Sequence, residues 1–206
     1  MKIKKTSILM IALIVSIAAF AQKRTGIKGG INFANLYVQD VDDENMKIGF
    51  NAGIYHRVDL SDAMAFQPEL LFTQKGATLT YSGSIVLGSG EYRYGLNYLE
   101  VPLLFVAKIG NFNIQAGPYL ATLLSAKIKD VNDDGSVNNI ERFDRDDFNT
   151  FDFGAAAGIG FDFDSGIFGL RYNYGFNEIG EDGSFAGQAT NKSKNSAFQI
   201  YAGFDF

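Results

Sequence analysis

The amino-acid sequence predicts an all-β fold: an eight-stranded antiparallel up-and-down transmembrane β-barrel that follows a cleaved signal peptide. Three observations predict it. Eight segments alternate between apolar and other residues, their connections alternate between short and long, and the last strand ends on an aromatic residue. Alternation with a period of two gives each strand one face for lipid and one face for the barrel interior.

The C-terminal segment, residues 195–206, shows this alternation most simply. Every second residue back from the carboxylate is apolar: Phe206, Phe204, Ala202, Ile200 and Phe198. The residues between them are polar, small or amphipathic: Asp205, Gly203, Tyr201 and Gln199. This segment resembles the C-terminal signal of bacterial outer-membrane barrels, with Tyr201 where that signal usually has glycine. The resemblance implies that the barrel-assembly machinery is a partner of this strand.

The N-terminus predicts export from the cytoplasm. Three lysines, Lys2, Lys4 and Lys5, precede an apolar segment at 7–20, and the cleavage pattern A-x-A ends at Ala21. A membrane-anchoring helix is the alternative, but this apolar segment is shorter than the roughly 20 residues that a spanning helix needs. We therefore predict a signal peptide at 1–21 and one outer-membrane barrel domain at 22–206.

Composition excludes several classes of function. The predicted mature chain keeps 15 of the 18 basic residues and all 23 acidic residues, which gives a net charge of −8. Nucleic-acid binding requires a basic surface, so we expect no nucleic-acid partner. The chain has no cysteine, which excludes disulfides and thiol chemistry. Its 19 Phe, 10 Tyr and 23 Gly are typical of barrels.

The other strands are predicted from the same alternation. With the C-terminal segment they make eight, each long enough for a tilted strand to cross a bilayer: 26–36, 47–58, 63–75, 91–108, 111–127, 148–163, 166–176 and 195–206. An even number of strands allows the sheet to close, which leaves no unpaired edge in lipid. We expect a monomer surrounded by outer-membrane lipid.

The connections indicate the orientation. Those at 59–62, 109–110 and 164–165 are tight turns, whereas those at 37–46, 76–90, 128–147 and 177–194 are 10 to 20 residues long. Short turns on one side and long loops on the other are typical of outer-membrane barrels. The pattern predicts a bacterial outer-membrane protein with both termini in the periplasm.

Three segments carry a family resemblance. FQPELLFTQKG at 66–76, YLEVPLLF at 98–105 and AGPY at 116–119 resemble the porin-like outer-membrane β-barrel family often called PorT-like. With the terminal strand, the resemblance covers essentially the whole predicted mature chain. It implies the location and the fold. By analogy with the family it also suggests an accessory role in protein export or envelope assembly.

The predicted inner face carries many charged residues: Lys28, Arg57, Glu69, Glu100, Asp152, Asp162, Arg171 and Asp205. An eight-stranded barrel has an interior that side chains fill, and buried charges there must pair. We expect a salt-bridged plug in which Glu69 and Glu100, on adjacent strands, share Arg171 or Arg57. An ion or proton path is the alternative.

An enzyme is not expected. Hydrolysis or acyl transfer on outer-leaflet lipid needs a base beside a nucleophile at the outer-leaflet end of the barrel. The one histidine, His56, lies two residues before the first short turn, at the opposite end.

The third long loop contains a possible metal site. Its residues fit the D-x-[DN]-x-[DN]-G-x5-E spacing of a calcium loop at every fixed position. The candidate ligands are the side chains of Asp130, Asn132, Asp134 and Glu141 and the carbonyl of Ser136. Neither flank is predicted to be a helix, and acidic, Asn- and Gly-rich loops are common on outer-membrane proteins. Weak, extracellular calcium binding and a solvated surface loop therefore both remain open.

Three functions follow. The first is a plugged barrel whose long loops bind surface ligands or partner proteins. The second is a narrow porin for small solutes, which the family name suggests but the charged filling opposes. The third is the accessory role in export or envelope assembly.

Overall fold

The computed structural model describes residues 23–37, 44–81, 90–132, 137–142, 148–180 and 193–206. The predicted signal peptide lies outside these residues. Ten β-strands are described: β1 (Lys23–Tyr37), β2 (Glu44–Asp59), β3 (Met64–Lys75), β4 (Ala77–Tyr81), β5 (Gly90–Ile109), β6 (Phe112–Asn132), β7 (Val137–Arg142), β8 (Phe151–Phe163), β9 (Gly166–Glu178) and β10 (Lys194–Asp205). No helix in these ranges is long and apolar enough to cross a membrane.

The ten strands form one closed antiparallel wall with eight strand positions. We call each position a stave. β4 continues the stave of β3, since both pair with β2 and β5, and β7 continues the stave of β8 alongside β6. β1 and β10 close the wall through twelve consecutive residue pairs, from Gly26↔Asp205 to Tyr37↔Lys194. The predicted eight-stranded antiparallel barrel is therefore confirmed.

The wall extends further at the long-loop end than the sequence predicts. β4 lies inside the predicted loop 76–90, and the end of β6 and all of β7 lie inside the predicted loop 128–147. Those parts of the loop predictions are wrong. At Gly76 the backbone has a φ of 134°, which favours glycine and allows the chain to bend and then pair again. Backbone pairing continues through β4, where Ala77, Leu79 and Tyr81 still alternate with threonines.

The two faces of each strand differ as predicted. On β8, Phe151 and Phe153 are exposed on the outer face while Asp152 and Gly154 are buried on the inner one. Large exposed apolar side chains occur on all eight staves, so the outer surface is a continuous apolar band. Aromatic rings pack across neighbouring strands in this band. One such pair is Phe112 with Phe161, whose ring centroids are 5.0 Å apart.

The short turns hold the opposite end of the barrel. They lie at 60–63, 110–111 and 164–165, within one residue of the prediction. In the second turn Gly110 has a φ of 63°, a left-handed conformation that suits a two-residue hairpin turn. In the first turn Leu60 and Ser61 both donate their backbone N–H groups to the carbonyl of Met64. Thr25 and Phe206 lie at this end, where the backbone N–H of Phe206 donates to the carbonyl of Thr25.

The three prolines of the chain lie on three neighbouring strands. Pro68 is on β3, Pro102 on β5 and Pro118 on β6. Proline has no N–H to donate to a sheet, and regular pairing is interrupted between Pro68 and Leu71 and again between Pro102 and Phe105. The segments that carry the family resemblance therefore mark one side of the barrel wall, where pairing is least regular.

Candidate functional site in the barrel interior

Eight charged side chains meet inside the barrel. Seven of them are at most 4% exposed, and the side chain of Asp162 is 15% exposed. Four are cations and four are anions, so their formal charges cancel: Lys28, Arg57, Lys75 and Arg171 against Glu69, Glu100, Asp152 and Asp162. Burial of an unpaired charge costs several kcal/mol, so this balance is a condition for the barrel to fold around them.

At the centre, Glu69 binds two cations. The guanidinium of Arg171 donates to both carboxylate oxygens, from Nη1 to Oε2 at 2.7 Å and from Nη2 to Oε1 at 2.8 Å. The Nζ of Lys28 donates to the same two oxygens at 3.0 and 3.2 Å. We call these three residues the Glu69 triad. A two-pronged arginine–carboxylate contact fixes geometry as well as charge, and here it links β3 to β9 across the interior.

Aromatic and amide groups surround the Glu69 triad. The Nζ of Lys28 lies 3.5 Å from the ring centroid of Tyr201, within the range of a cation–π contact. The ring reaches this position because it lies directly over Gly169, where an added Cβ would be 2.5 Å from the tyrosine oxygen. Gln115 accepts a hydrogen bond from Arg171 Nη2 at 2.8 Å.

A second triad lies nearer the long-loop end. The Nζ of Lys75 is 2.7 Å from Glu100 Oε2 and 3.1 Å from Asp152 Oδ2. We call these residues the Lys75 triad. The Tyr119 ring centroid is 4.3 Å from the same Nζ. Asn173 donates to Glu100 at 2.8 Å, so the second oxygen of that carboxylate also has a partner. The Glu69 triad carries a net charge of +1 and the Lys75 triad carries −1, so the two attract each other.

A third ion pair lies nearer the short turns. Arg57 Nη1 is 2.6 Å from Asp162 Oδ1. Gln67 joins this pair to the Glu69 triad, because its Oε1 accepts from Arg57 Nε at 2.6 Å and its Nε2 donates to Glu69 Oε1 at 2.6 Å. Polar contacts thus run without a break from the centre of the barrel to its short-turn end.

The two ends of the interior are closed differently. At the short-turn end, ion pairs are partly exposed: Lys108 lies 3.0 Å from Asp59, with side-chain exposures of 20% and 29%. Asp205 belongs to this rim, where it accepts from Tyr55 and pairs with Arg24. At the long-loop end, buried apolar side chains cover the Lys75 triad: Leu96, Leu123, Ala126, Phe148 and Ile179.

The structure brings together some of the predicted lumen residues and separates others. Glu69 meets Arg171 as expected. The expectation that Glu100 shares an arginine is wrong, because Glu100 pairs with Lys75 and Arg57 pairs with Asp162. Asp152 also binds Lys75. Lys75 is not among the predicted inner-face charges, although it lies two residues after Thr73 in the same alternation of β3, which is the signal that identifies it.

The predicted calcium loop has the backbone of a β-hairpin. Asp130 and Asn132 lie on β6 and Glu141 on β7, with Asp130 opposite Asn139 and Glu141 opposite Ile128. Asp134 and Ser136 lie outside the described residues. Within the described residues no group of three or more potential metal ligands is found. The calcium site stays a prediction.

His56 lies at the short-turn end, as the sequence predicts. Its Nδ1 is 2.8 Å from Thr25 Oγ1 on the neighbouring strand. This contact lies at the end opposite the long loops, whereas the enzyme hypothesis requires a base at the long-loop end.

Loss of the charge at Glu69 tests how much the stability of the barrel depends on the ion pairs of the Glu69 triad. Glu69→Gln leaves Lys28 and Arg171 buried without a carboxylate, and we expect a loss of about 3–5 kcal/mol in the free energy of unfolding. The matched control is Asp59→Asn, which removes the partly exposed ion pair with Lys108 and should cost less than about 1 kcal/mol. Urea unfolding of the barrels refolded in detergent measures both. Equal losses would contradict the central role of the Glu69 triad.

Comparison with known proteins gives the family. The model of the family described as "Outer membrane protein beta-barrel domain" matches residues 20–181. No curated protein matches the chain.

Several solved structures are similar at low identity. Ail, the attachment invasion locus protein of Yersinia pestis, in complex with the heparin analogue sucrose octasulfate, is 15% identical, with a TM-score of 0.49 over 90% of this chain and 99% of that one. Neisserial surface protein A is 10% identical, with a TM-score of 0.47 over 88% and 97%. OprG from Pseudomonas aeruginosa is 10% identical, with a TM-score of 0.42 over 92% and 98%.

The family match covers well over half of the chain, and the closed eight-stranded wall with its apolar outer band is the architecture that this family name describes. The protein therefore belongs to the outer membrane protein β-barrel domain family and is an integral protein of the bacterial outer membrane.

Proposed function

We propose that this protein is a plugged barrel that conducts no ions or solutes and acts through its long-loop end. The observation that carries the proposal is the burial of the interior charges: seven of the eight are at most 4% exposed, so bulk solvent does not reach them. An aqueous channel would leave the side chains that line it accessible. The narrow-porin alternative conflicts with this burial.

Energetics support a sealed interior. A solute that passed through would have to separate the Glu69 triad and the Lys75 triad, and each separation leaves buried charges unpaired at a cost of several kcal/mol. An eight-stranded barrel has no spare width through which a solute could avoid them. The apolar side chains over the Lys75 triad add a second barrier at the long-loop end.

The long-loop end offers the larger surface. The three turns at the other end have two to four residues, while β4 and β7 extend the wall on the long-loop side. We propose that this end faces the cell exterior and binds surface ligands or partner proteins, with both termini in the periplasm. The apolar band on all eight staves supports a monomer surrounded by lipid.

Two finer assignments belong to the same proposal. We propose membership of the PorT-like subgroup, because its proline-containing segments coincide with the irregular side of the wall. We also propose that the barrel-assembly machinery binds the last strand, whose Phe204 and Phe206 have exposed side chains.

An accessory role in export or envelope assembly rests on family analogy, and a co-purified envelope protein would be needed to support it.

Conductance tests the plug. In planar bilayers the folded wild-type barrel should give no steady single-channel steps, because the interior ion pairs stay closed. Circular dichroism and heat-modifiable gel migration of the same sample confirm that the protein is folded. Steady steps from folded protein would overturn the plug and support the narrow porin.

Cysteine labelling tests the orientation, since the chain has no cysteine of its own. Ser184→Cys, between β9 and β10, should react with a membrane-impermeant maleimide on intact cells. Ser165→Cys, in a short turn, is the matched control and should react only after the outer membrane is permeabilised. The reverse result would place the termini outside the cell.

Calcium binding by the β6–β7 hairpin is a second proposal. It rests on the ligand spacing and on the register, which places Asp130 and Glu141 two rows apart on paired strands. Calcium should protect 128–147 from proteolysis in the wild type but not in Glu141→Gln, where the bidentate carboxylate is lost. Equal cleavage of both with and without calcium would show that the motif is a coincidence.

A further inference from the structure

Two glutamines on the inner face of the barrel have opposite surroundings. Gln115 is 1% exposed and fully bonded: Nε2 donates to Asn113 and Tyr201, each at 2.8 Å, and Oε1 accepts from Arg171. Gln199 is 0% exposed, and neither its Oε1 nor its Nε2 has a hydrogen-bond partner among the described residues. Buried amides are almost always bonded, so the environment of Gln199 requires an explanation.

Unpartnered polar atoms continue on both sides of Gln199. In the sheet it lies opposite Asn32 on β1 and Arg171 on β9. Arg171 Nε has no partner in the described part of the chain, although both Nη atoms are bonded. Asn51 on β2 donates to Asn32 at 2.5 Å, but its own Oδ1 is unpartnered. Asn173, one inner-face position further along β9, also has a free Oδ1.

Neither Asn32 nor the inner-face residues towards the long loops bond to the side-chain amide of Gln199. Towards the long loops the nearest inner-face side chains are Ala34 on β1 and Ala197 on β10, both 1% exposed, and their methyl groups form no hydrogen bonds. Asn32 already uses its amide nitrogen for Thr73 Oγ1 and its oxygen for Asn51. Three strands on this side of the barrel, β2, β10 and β9, thus present unpartnered atoms, while Asn32 on β1 between them is bonded through both of its polar atoms.

From these atoms we infer a buried hydration site beside Gln199 that holds ordered water molecules. The set contains donors, Gln199 Nε2 and Arg171 Nε, and acceptors, Gln199 Oε1, Asn51 Oδ1 and Asn173 Oδ1. Water both donates and accepts, and a buried water typically makes about three hydrogen bonds to groups that would otherwise be unsatisfied. A mixed set of this kind matches water better than it matches any ion.

The charge balance of the interior and the low exposure of these residues also favour water as the ligand. The eight interior charges already cancel, so no ion is needed to neutralise this part of the barrel. The four residues that contribute the unpartnered atoms are at most 1% exposed, which excludes a larger solute that enters from outside. The site lies between the Glu69 triad, to which Arg171 belongs, and the Lys75 triad, whose Glu100 is bonded to Asn173. The water therefore connects the two triads.

A crystal structure at a resolution that shows ordered water, from crystals grown with bromide, tests the site. The expected result is water density within hydrogen-bond distance of Gln199 and at least one of Arg171 Nε, Asn51 and Asn173, with no anomalous peak. An anomalous bromide peak there would overturn the inference in favour of an anion. Hydrogen bonds from Gln199 directly to protein atoms, with no water density beside it, would overturn the hydration site altogether.

A pair of isosteric variants gives a second test in solution. Gln199→Met removes only bonds to water, whereas Gln115→Met removes three hydrogen bonds to protein groups, those to Asn113 Oδ1, the Tyr201 hydroxyl and Arg171 Nη2. We expect Gln115→Met to lower the urea midpoint of unfolding clearly more than Gln199→Met. In the wild type, the side-chain amide of Gln199 should show a water cross-peak by NMR and that of Gln115 should show none. Absence of the Gln199 cross-peak would overturn the inference.

Discussion

The carboxylate of Glu69, held between Lys28 and Arg171, imposes the condition that the rest of the interior satisfies. A closed wall of eight staves leaves room for side chains but no bulk water to solvate a charge. Each charge that enters the barrel must therefore meet a counter-charge within it. The interior obeys this condition through two triads of opposite net charge and one further pair, which Gln67 joins to the Glu69 triad.

The same network constrains the wall. Arg171 on β9 reaches Glu69 on β3, and Lys75 on β3 reaches Asp152 on β8, so the ion pairs join staves that are not neighbours. A slip of one residue in any of these strands would turn its charge toward lipid and an apolar side chain inward. Backbone pairing and interior electrostatics therefore specify the same register.

The proposed function assigns stability and recognition to different parts of the molecule. The membrane-spanning part combines an apolar exterior with a polar interior in which the buried charges are paired with one another. Variation in the long connections would leave this network intact. A plugged barrel can thus present different binding surfaces on one stable support, which fits a family defined by its fold rather than by an activity.

Residue order alone predicts the barrel, the lipid-facing and inward-facing sides of each strand and the positions of the short turns. All of these depend on local alternation and on turn residues. It also placed the interior charges, but it did not determine their partners: Glu100 binds Lys75 instead of an arginine. Partners are decided by strand tilt and by which staves face each other across the interior, and alternation along one strand contains no information about either. Gln115 and Gln199 illustrate the same point, because both occupy inner-face positions in the alternation of their strands. In the folded barrel Gln115 has protein partners, whereas Gln199 has none among the described residues.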